Sequence, residues 1–460
     1  MAGGEKTANG QQFGVATRGC GMKRMRLAFM LSSSPSAHSI GGWRHPRSYR
    51  GFDYADPAYW EHVARTLERG CFDMGFFADS LQLHDDYGGS PDAAIRYAIQ
   101  FPRLDPMPIL PLMARVTSGL GLGVTSSTSF TEPYYFARLM ATLDHLSGGR
   151  MGWNIVASYG RAEARALGQE EVRGHQDRYA KADEYTRLCY RLWDSWEPDA
   201  IVGDRETGIY ADPAKVHRFV HDGQHFHSTG PLSVPRSPQG KPLIIQAGAS
   251  PDGLAFAARH AELHFAARGS TDGMKQHLGK LNDALAAEGR APDAVKVLWA
   301  ASLFVGETDA EASAREAAVI NGVPFEAGLA LLSGQLGADL SAIPLDEPMR
   351  NFDPAKVKGI QGLMNMFARD FGPDFTLRDA ARRHGAGMSN LRIMGSPETI
   401  ADQMEALMDA GGDGFMFRPN ILPGSIDDFV ELVVPVLQAR DRVRKSYDPG
   451  MTLRQSVLQD

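Results

Sequence analysis

Cysteine is scarce: the 460 residues hold three, Cys20, Cys71 and Cys189, far apart and odd in number. That excludes a disulfide framework and any CxxC metal site, and it fits a reducing cytoplasm best. Long apolar runs are missing too; none approaches the ~18 residues that a membrane span needs. The segment Met22–Leu31 starts basic and turns apolar, as a signal peptide does. Its apolar part, Leu27–Leu31, is shorter than the ~7–15 residues of an export signal, and Ser32-Ser-Ser-Pro35 follows at once, so it is read as a first strand. An excess of positive charge is also absent. Lys and Arg total 48 against 55 Asp and Glu, for a net charge of −7 with no basic run. No broad face for nucleic acid or another polyphosphate is expected. Nor is there a Walker loop or a GxSxG nucleophile elbow.

What is present reads as an ordinary globular chain, with 43% hydrophobic and 22% charged residues. Eight short apolar runs, each ending in small or polar residues, have the look of strands buried on both faces. They are Arg26–Leu31, Met74–Ala78, Gly119–Thr125, Met151–Val156, Leu243–Ala247, Glu262–Ala266, Val295–Val305 and Gly414–Phe417. Amphipathic helical stretches separate most of them. Asp56-Pro57 opens one, Glu132-Pro133 another that Gly148-Gly149 ends, and Ser396-Pro397 a third. Strand–helix alternation around eight strands predicts an α/β protein, a (β/α)8 TIM barrel. Two intervals exceed simple connections, about 158–242 after the fourth strand and about 308–394 after the seventh. Both belong on the C-terminal face, where they would form lids or substrate walls. The domain plan is therefore a tail over 1–21, one barrel domain over 22–445 carrying both insertions, and a C-terminal tail over 446–460.

Several signals could carry chemistry. Gly119-Leu-Gly-Leu-Gly-Val124 approaches a dinucleotide fingerprint, but position 124 is valine and no acidic residue follows at the right distance. A tightly packed strand explains it better. His217, His221, His225 and His227 cluster, yet Asp222-Gly223 breaks any helix and Thr229-Gly-Pro231 reads as a hairpin, so no metal is expected. A glycosidase needs two carboxylates at strand ends, and only Asp79 qualifies. His175 and Tyr179 stand one helical turn apart, able to converge on one anionic or aromatic ligand or simply to pack. Gln246-Ala-Gly-Ala-Ser250 runs from a strand into Pro251-Asp252, where backbone amides at a helix start could hold a phosphate. A plain strand-to-helix turn would look the same.

Read together, the blocks Trp43-Arg-His-Pro46, Phe76-Phe-Ala-Asp-Ser80, Glu132-Pro-Tyr134, Asp144-His-Leu-Ser-Gly-Gly-Arg150, Gly152-Trp-Asn154, His175-Gln-Asp-Arg-Tyr179, Gly230-Pro-Leu232, Pro235-Arg-Ser-Pro-Gln-Gly240 and Gln246-Ala-Gly-Ala-Ser250 resemble the bacterial luciferase-like FMN-dependent monooxygenases. The likeness is greatest to the branch with nitrilotriacetate and dibenzothiophene-sulfone monooxygenases. It implies a barrel that binds reduced FMN as a co-substrate at its C-terminal face, the FMN supplied by a separate NAD(P)H:flavin reductase. A flavin 4a-hydroperoxide would then pass one oxygen atom of O2 to a small organic substrate in a dry site. The resemblance places Asp79, Thr125 and Asn154 near the flavin ring, and His175, Tyr179 and Ser250 around its phosphate. His38 is a candidate catalytic residue beyond the first strand. Where relatives often carry Ser or Thr before Ser250, this chain has Ala249. A homodimer or homotetramer is implied by the same analogy. The readings left beside it are a deazaflavin-dependent oxidoreductase and a flavin-binding barrel without turnover.

Overall fold

Strands buried on both faces need helices to cover them, and short parallel strands need long crossovers; both requirements shape this chain. The computed structural model describes residues 23–36, 39–48, 53–158, 160–169, 174–351, 374–387 and 391–459. In chain order the elements are β1 (Arg26–Leu31), α1 (Pro57–Arg69), β2 (Met74–Phe77), α2 (Asp92–Arg96), α3 (Ile109–Arg115), β3 (Gly121–Ser127), α4 (Pro133–Ser147), β4 (Met151–Val156), α5 (Arg161–Ala166), α6 (His175–Trp193), β5 (Phe219–Asp222), β6 (His227–Gly230), β7 (Leu243–Gln246), α7 (Pro251–His260), β8 (Leu263–Ala266), α8 (Thr271–Ala287), β9 (Lys296–Val305), α9 (Asp309–Gly322), α10 (Phe325–Leu336), α11 (Leu377–Gly385), β10 (Leu391–Gly395), α12 (Pro397–Met408) and β11 (Gly414–Arg418). Helical turns over 424–439 and α13 (Leu453–Leu458) complete them.

Eight parallel strands close in the order β1-β2-β3-β4-β7-β8-β9-β11 and back to β1. Each coincides with one of the eight apolar runs. The (β/α)8 barrel is what the alternation predicted. The helix starts follow their caps: the Asp56 carboxylate accepts from Ala58 N, and the Ser396 hydroxyl from Thr399 N. Alternate residues fill the barrel, among them Ala28, Met30, Met74, Phe76, Ile245, Phe265, Leu298 and Met416. The glycine run on β3 serves this packing. A Cβ on Gly121 would fall 2.6 Å from the Asp73 carbonyl oxygen, and one on Gly123 2.6 Å from the Met74 sulfur. No side chain fits there.

Three features depart from the sequence reading. First, β3 continues through Ser127, because Thr125–Ser127 pair with Asn154–Val156 of β4. Second, β10 adds a ninth strand along the β8 edge of β9, beyond the end of β8, in parallel register from Leu391 opposite Ala301 to Gly395 opposite Val305. Third, 446–459 is no loose tail. Leu453 and Val457 of α13 are 2% exposed and complete the barrel's interior cluster from its N-terminal end. Arg444 fastens the segment by donating to the Asp73 carboxylate at 2.7 Å and to the Ser456 hydroxyl at 2.6 Å.

Candidate active site

The C-terminal ends of β4 and β7 carry the first half of the site. Past β7 the chain turns through Gly248 and enters α7, whose N-cap is Ser250; its hydroxyl accepts from Gly253 N at 3.1 Å. Tyr179 lies one turn into α6 with its ring 5.7 Å from Phe256 of α7. Its hydroxyl is hydrogen-bonded to the Ser250 hydroxyl, and burial pushes the phenol up, so it stays a neutral donor. Two glycines make this approach possible: a Cβ on Gly248 or on Gly253 would lie 3.0 Å from the Tyr179 hydroxyl oxygen. A phenol, a hydroxyl and amides at a helix start thus share one corner, the donor set a phosphate monoester needs. The structure brings together the hydroxyls of Tyr179 and Ser250. His175 opens α6 by its backbone, and its side chain lies outside the described residues.

The second half lines the mouth. Thr125 and Asn154 are buried register partners on β3 and β4, and Asn154 Nδ2 donates to Thr125 Oγ1 at 3.0 Å. Asn154 Oδ1 has no hydrogen-bond partner among the described residues, and neither has Gln246 Oε1 at the end of β7. Buried acceptors left so are expected to meet a ligand. Asp79, two residues beyond β2, faces Arg103 at 3.4 Å. Burial pushes the Asp79 carboxyl up and the Arg103 charge opposes the shift. Glu163 of α5 joins them; burial raises its pKa also, while Leu81 N donates to it at 3.4 Å. A cavity of about 490 Å³ opens beside this cluster, walled by Phe130, Tyr135 and Leu139 with Asp79, Arg103 and Glu163 at its polar side. That volume suits a small molecule.

Arg103 and Glu163 escaped the sequence reading. Arg103 belongs to no motif, and Glu163 in Arg161-Ala-Glu-Ala-Arg165 looks like one charge of a solvated helix. His38 lies outside the described residues. The histidines near the hairpin do not converge. His217, His221 and His227 face three separate carboxylates: Glu197 at 2.9 Å, Glu184 at 3.1 Å and Asp222 at 2.5 Å.

Comparison with known proteins agrees with this architecture. Residues 36–414 match the family model described as luciferase-like monooxygenase. Dibenzothiophene-sulfone monooxygenase of Rhodococcus erythropolis is 40% identical over 94% of this chain and 96% of its own length. Nitrilotriacetate monooxygenase component A of Aminobacter aminovorans is 38% identical over 94% and 96%. The crystal structure of DmoA from Hyphomicrobium sulfonivorans superposes with a TM-score of 0.88 at 36% identity, covering 95% of this chain and 93% of that one. A riboflavin lyase, crystallised with modified FMN and riboflavin, gives 0.87 at 34% identity over 95% and 96%. With a closed eight-stranded barrel and a family match across most of its length, this chain belongs to the luciferase-like monooxygenases.

Proposed function

We propose that this chain is the oxygenase half of a two-component system. It takes reduced FMN from a separate NAD(P)H:flavin reductase and adds one atom of O2 to a small organic substrate. The observation that carries this reading is the corner where the Tyr179 hydroxyl meets Ser250 between two glycines at the start of α7. A flavin phosphate fits the donors there. Bound FMN would supply the activation of oxygen, which no side chain can provide. The protein's own groups then hold and shield. Tyr179 and Ser250 hydrogen-bond the phosphate; Thr125 Oγ1 and the open Asn154 Oδ1 offer a donor and an acceptor to the ring. The Asp79–Arg103 pair sets the field beside it, and Phe130 and Leu139 give the cavity an apolar side. A separate reductase is consistent with a glycine run committed to strand packing rather than to a nicotinamide.

The test is reconstitution with an unrelated flavin reductase, NADH and FMN, following oxygen uptake and product over a substrate panel. Substrate-dependent oxygen incorporation should require the reductase, FMN and this chain together. Robust NADH turnover by the isolated chain would overturn the two-component reading. Hydride transfer with a deazaflavin and no oxygen uptake would overturn the monooxygenase one.

A further inference from the structure

Among the described residues each buried arginine has at least one acceptor or ion pair, whereas the half-buried Arg418 has none. Arg103 faces Asp79, and Arg444 faces Asp73. Arg150 makes no ion pair among the described residues but donates to the carbonyls of Ala114 at 2.9 Å, Leu120 at 2.7 Å and Ser147 at 2.6 Å. Arg418 makes no hydrogen bond or ion pair among the described residues, and its Nε is sealed from solvent without an acceptor. Burial holds its guanidinium down to about 10. A charge kept in that condition is costly unless something negative arrives to meet it.

Its place in the fold says where that partner would come from. Arg418 is the last residue of β11, the eighth barrel strand, and Met416 two positions earlier belongs to the interior cluster. Strand alternation therefore turns Arg418 inward, at the C-terminal mouth. Among the described residues, its neighbours offer it no opposite charge. Ser302, its register partner on β9, commits its hydroxyl to the Gly387 carbonyl at 2.6 Å. His384 of α11, which feels the Arg418 charge, is kept neutral by burial, and its Nε2 is 2.9 Å from Gln335 Oε1. Around the ring, β4 and β7 with the Tyr179–Ser250 corner lie on the far side of the mouth from β11. Arg418 therefore stands across the mouth from the phosphate corner.

We propose that Arg418 is the anchor for a carboxylate or sulfonate group of the substrate, so that this enzyme oxygenates a small organic acid rather than a neutral molecule. This rests on the proposed function for the oxygenation itself; the anchoring does not need flavin to be observed. A guanidinium binds such groups in a planar, two-pronged contact that a neutral isostere cannot reproduce.

The experiment is ligand-observed NMR titration of the purified chain with small aliphatic and aromatic carboxylic acids and sulfonates, each paired with its primary amide or sulfonamide. It is run on wild type, Arg418→Met and Arg418→Lys. At least one acid should bind wild type ten-fold or more tightly than its amide. Arg418→Met should abolish that preference, and Arg418→Lys should retain part of it. Arg418→Met should also raise the thermal midpoint, since it removes an unmatched charge. An acid preference that survives Arg418→Met, or no acid outbinding its amide, overturns the proposal. So does an Arg418→Met protein that melts lower than wild type, which would make the residue structural. If Arg418→Met weakens reduced FMN but not oxidised FMN, the guanidinium serves the flavin anion and the proposal also falls. Failure of the proposed function shows itself separately, as an absence of FMN binding by wild type.

Discussion

Removing the Tyr179 and Ser250 hydroxyls together tests the phosphate corner with a magnitude the structure supplies. Both groups belong to one hydrogen-bonded pair at the start of α7, and each can donate to a dianionic phosphate. A hydrogen bond to a charged group contributes roughly 1.5–3 kcal/mol, so two contribute about 3–6 kcal/mol. At 1.4 kcal/mol per decade, Tyr179→Phe with Ser250→Ala should weaken reduced FMN by roughly two to four decades. Riboflavin has no phosphate; it should bind wild type poorly and be almost indifferent to the change. One complication is built into the site, because Ser250 also caps α7, and losing a cap costs about 1 kcal/mol of stability. Ser250→Gly separates the roles, as glycine at an N-cap costs only a few tenths of a kcal/mol while supplying no hydroxyl. Anaerobic titration of both reduced flavins against the three proteins is the assay. If riboflavin loses as much affinity as FMN in a variant that remains folded, the two residues merely pack a turn and the assignment is wrong.

Two further outcomes follow from packing and charge. Leu453→Ala should lower stability by about 2–5 kcal/mol while leaving FMN affinity unchanged, because α13 closes the opposite end of the barrel; a urea midpoint that hardly moves would refute the plug. Acid should destabilise the fold well above the carboxylate range. Burial holds His84 at about 4 and both His264 and His384 at about 3, below the 6.5 of an unfolded chain. These rings are neutral when folded and take up protons on unfolding, so their contribution is complete above pH 6.5 and lost as pH falls towards the folded values. At pH 5 each shift removes roughly 2 kcal/mol. Urea midpoints at pH 7 and 5 should differ, less so in His384→Gln; equal midpoints would refute the account.

The barrel strands were readable because a strand buried on both faces has no polar alternation to blur it, as Met151–Val156 shows. The same rule hid β10. Its Arg392 is exposed and pairs with Glu316 at 2.8 Å, so Leu391–Gly395 lacks the continuous apolar run that marked the others. Tyr179 and Ser250 were legible through local motifs at helix starts. Arg103 and Glu163 were not, since their meaning comes from a meeting with Asp79 across some 24 and 84 positions that no spacing rule encodes. Arg418 looked like the polar end of a strand. Only the absence of a counter-charge among the described residues around it gives it significance.

The pairing of β10 beside β9 also bears on how such a protein can change over time. The chain leaves the barrel at Val305 and returns to the same strand's flank, so both ends of the excursion are stitched to one edge. Whatever lies between them can be lengthened or exchanged at little cost in closure entropy, which grows only as the logarithm of loop length. The strands bearing Thr125, Asn154 and the turn to Ser250 lie elsewhere on the ring and need not respond. A lineage built this way can lengthen or replace the excursion while the proposed cofactor corner stays unchanged.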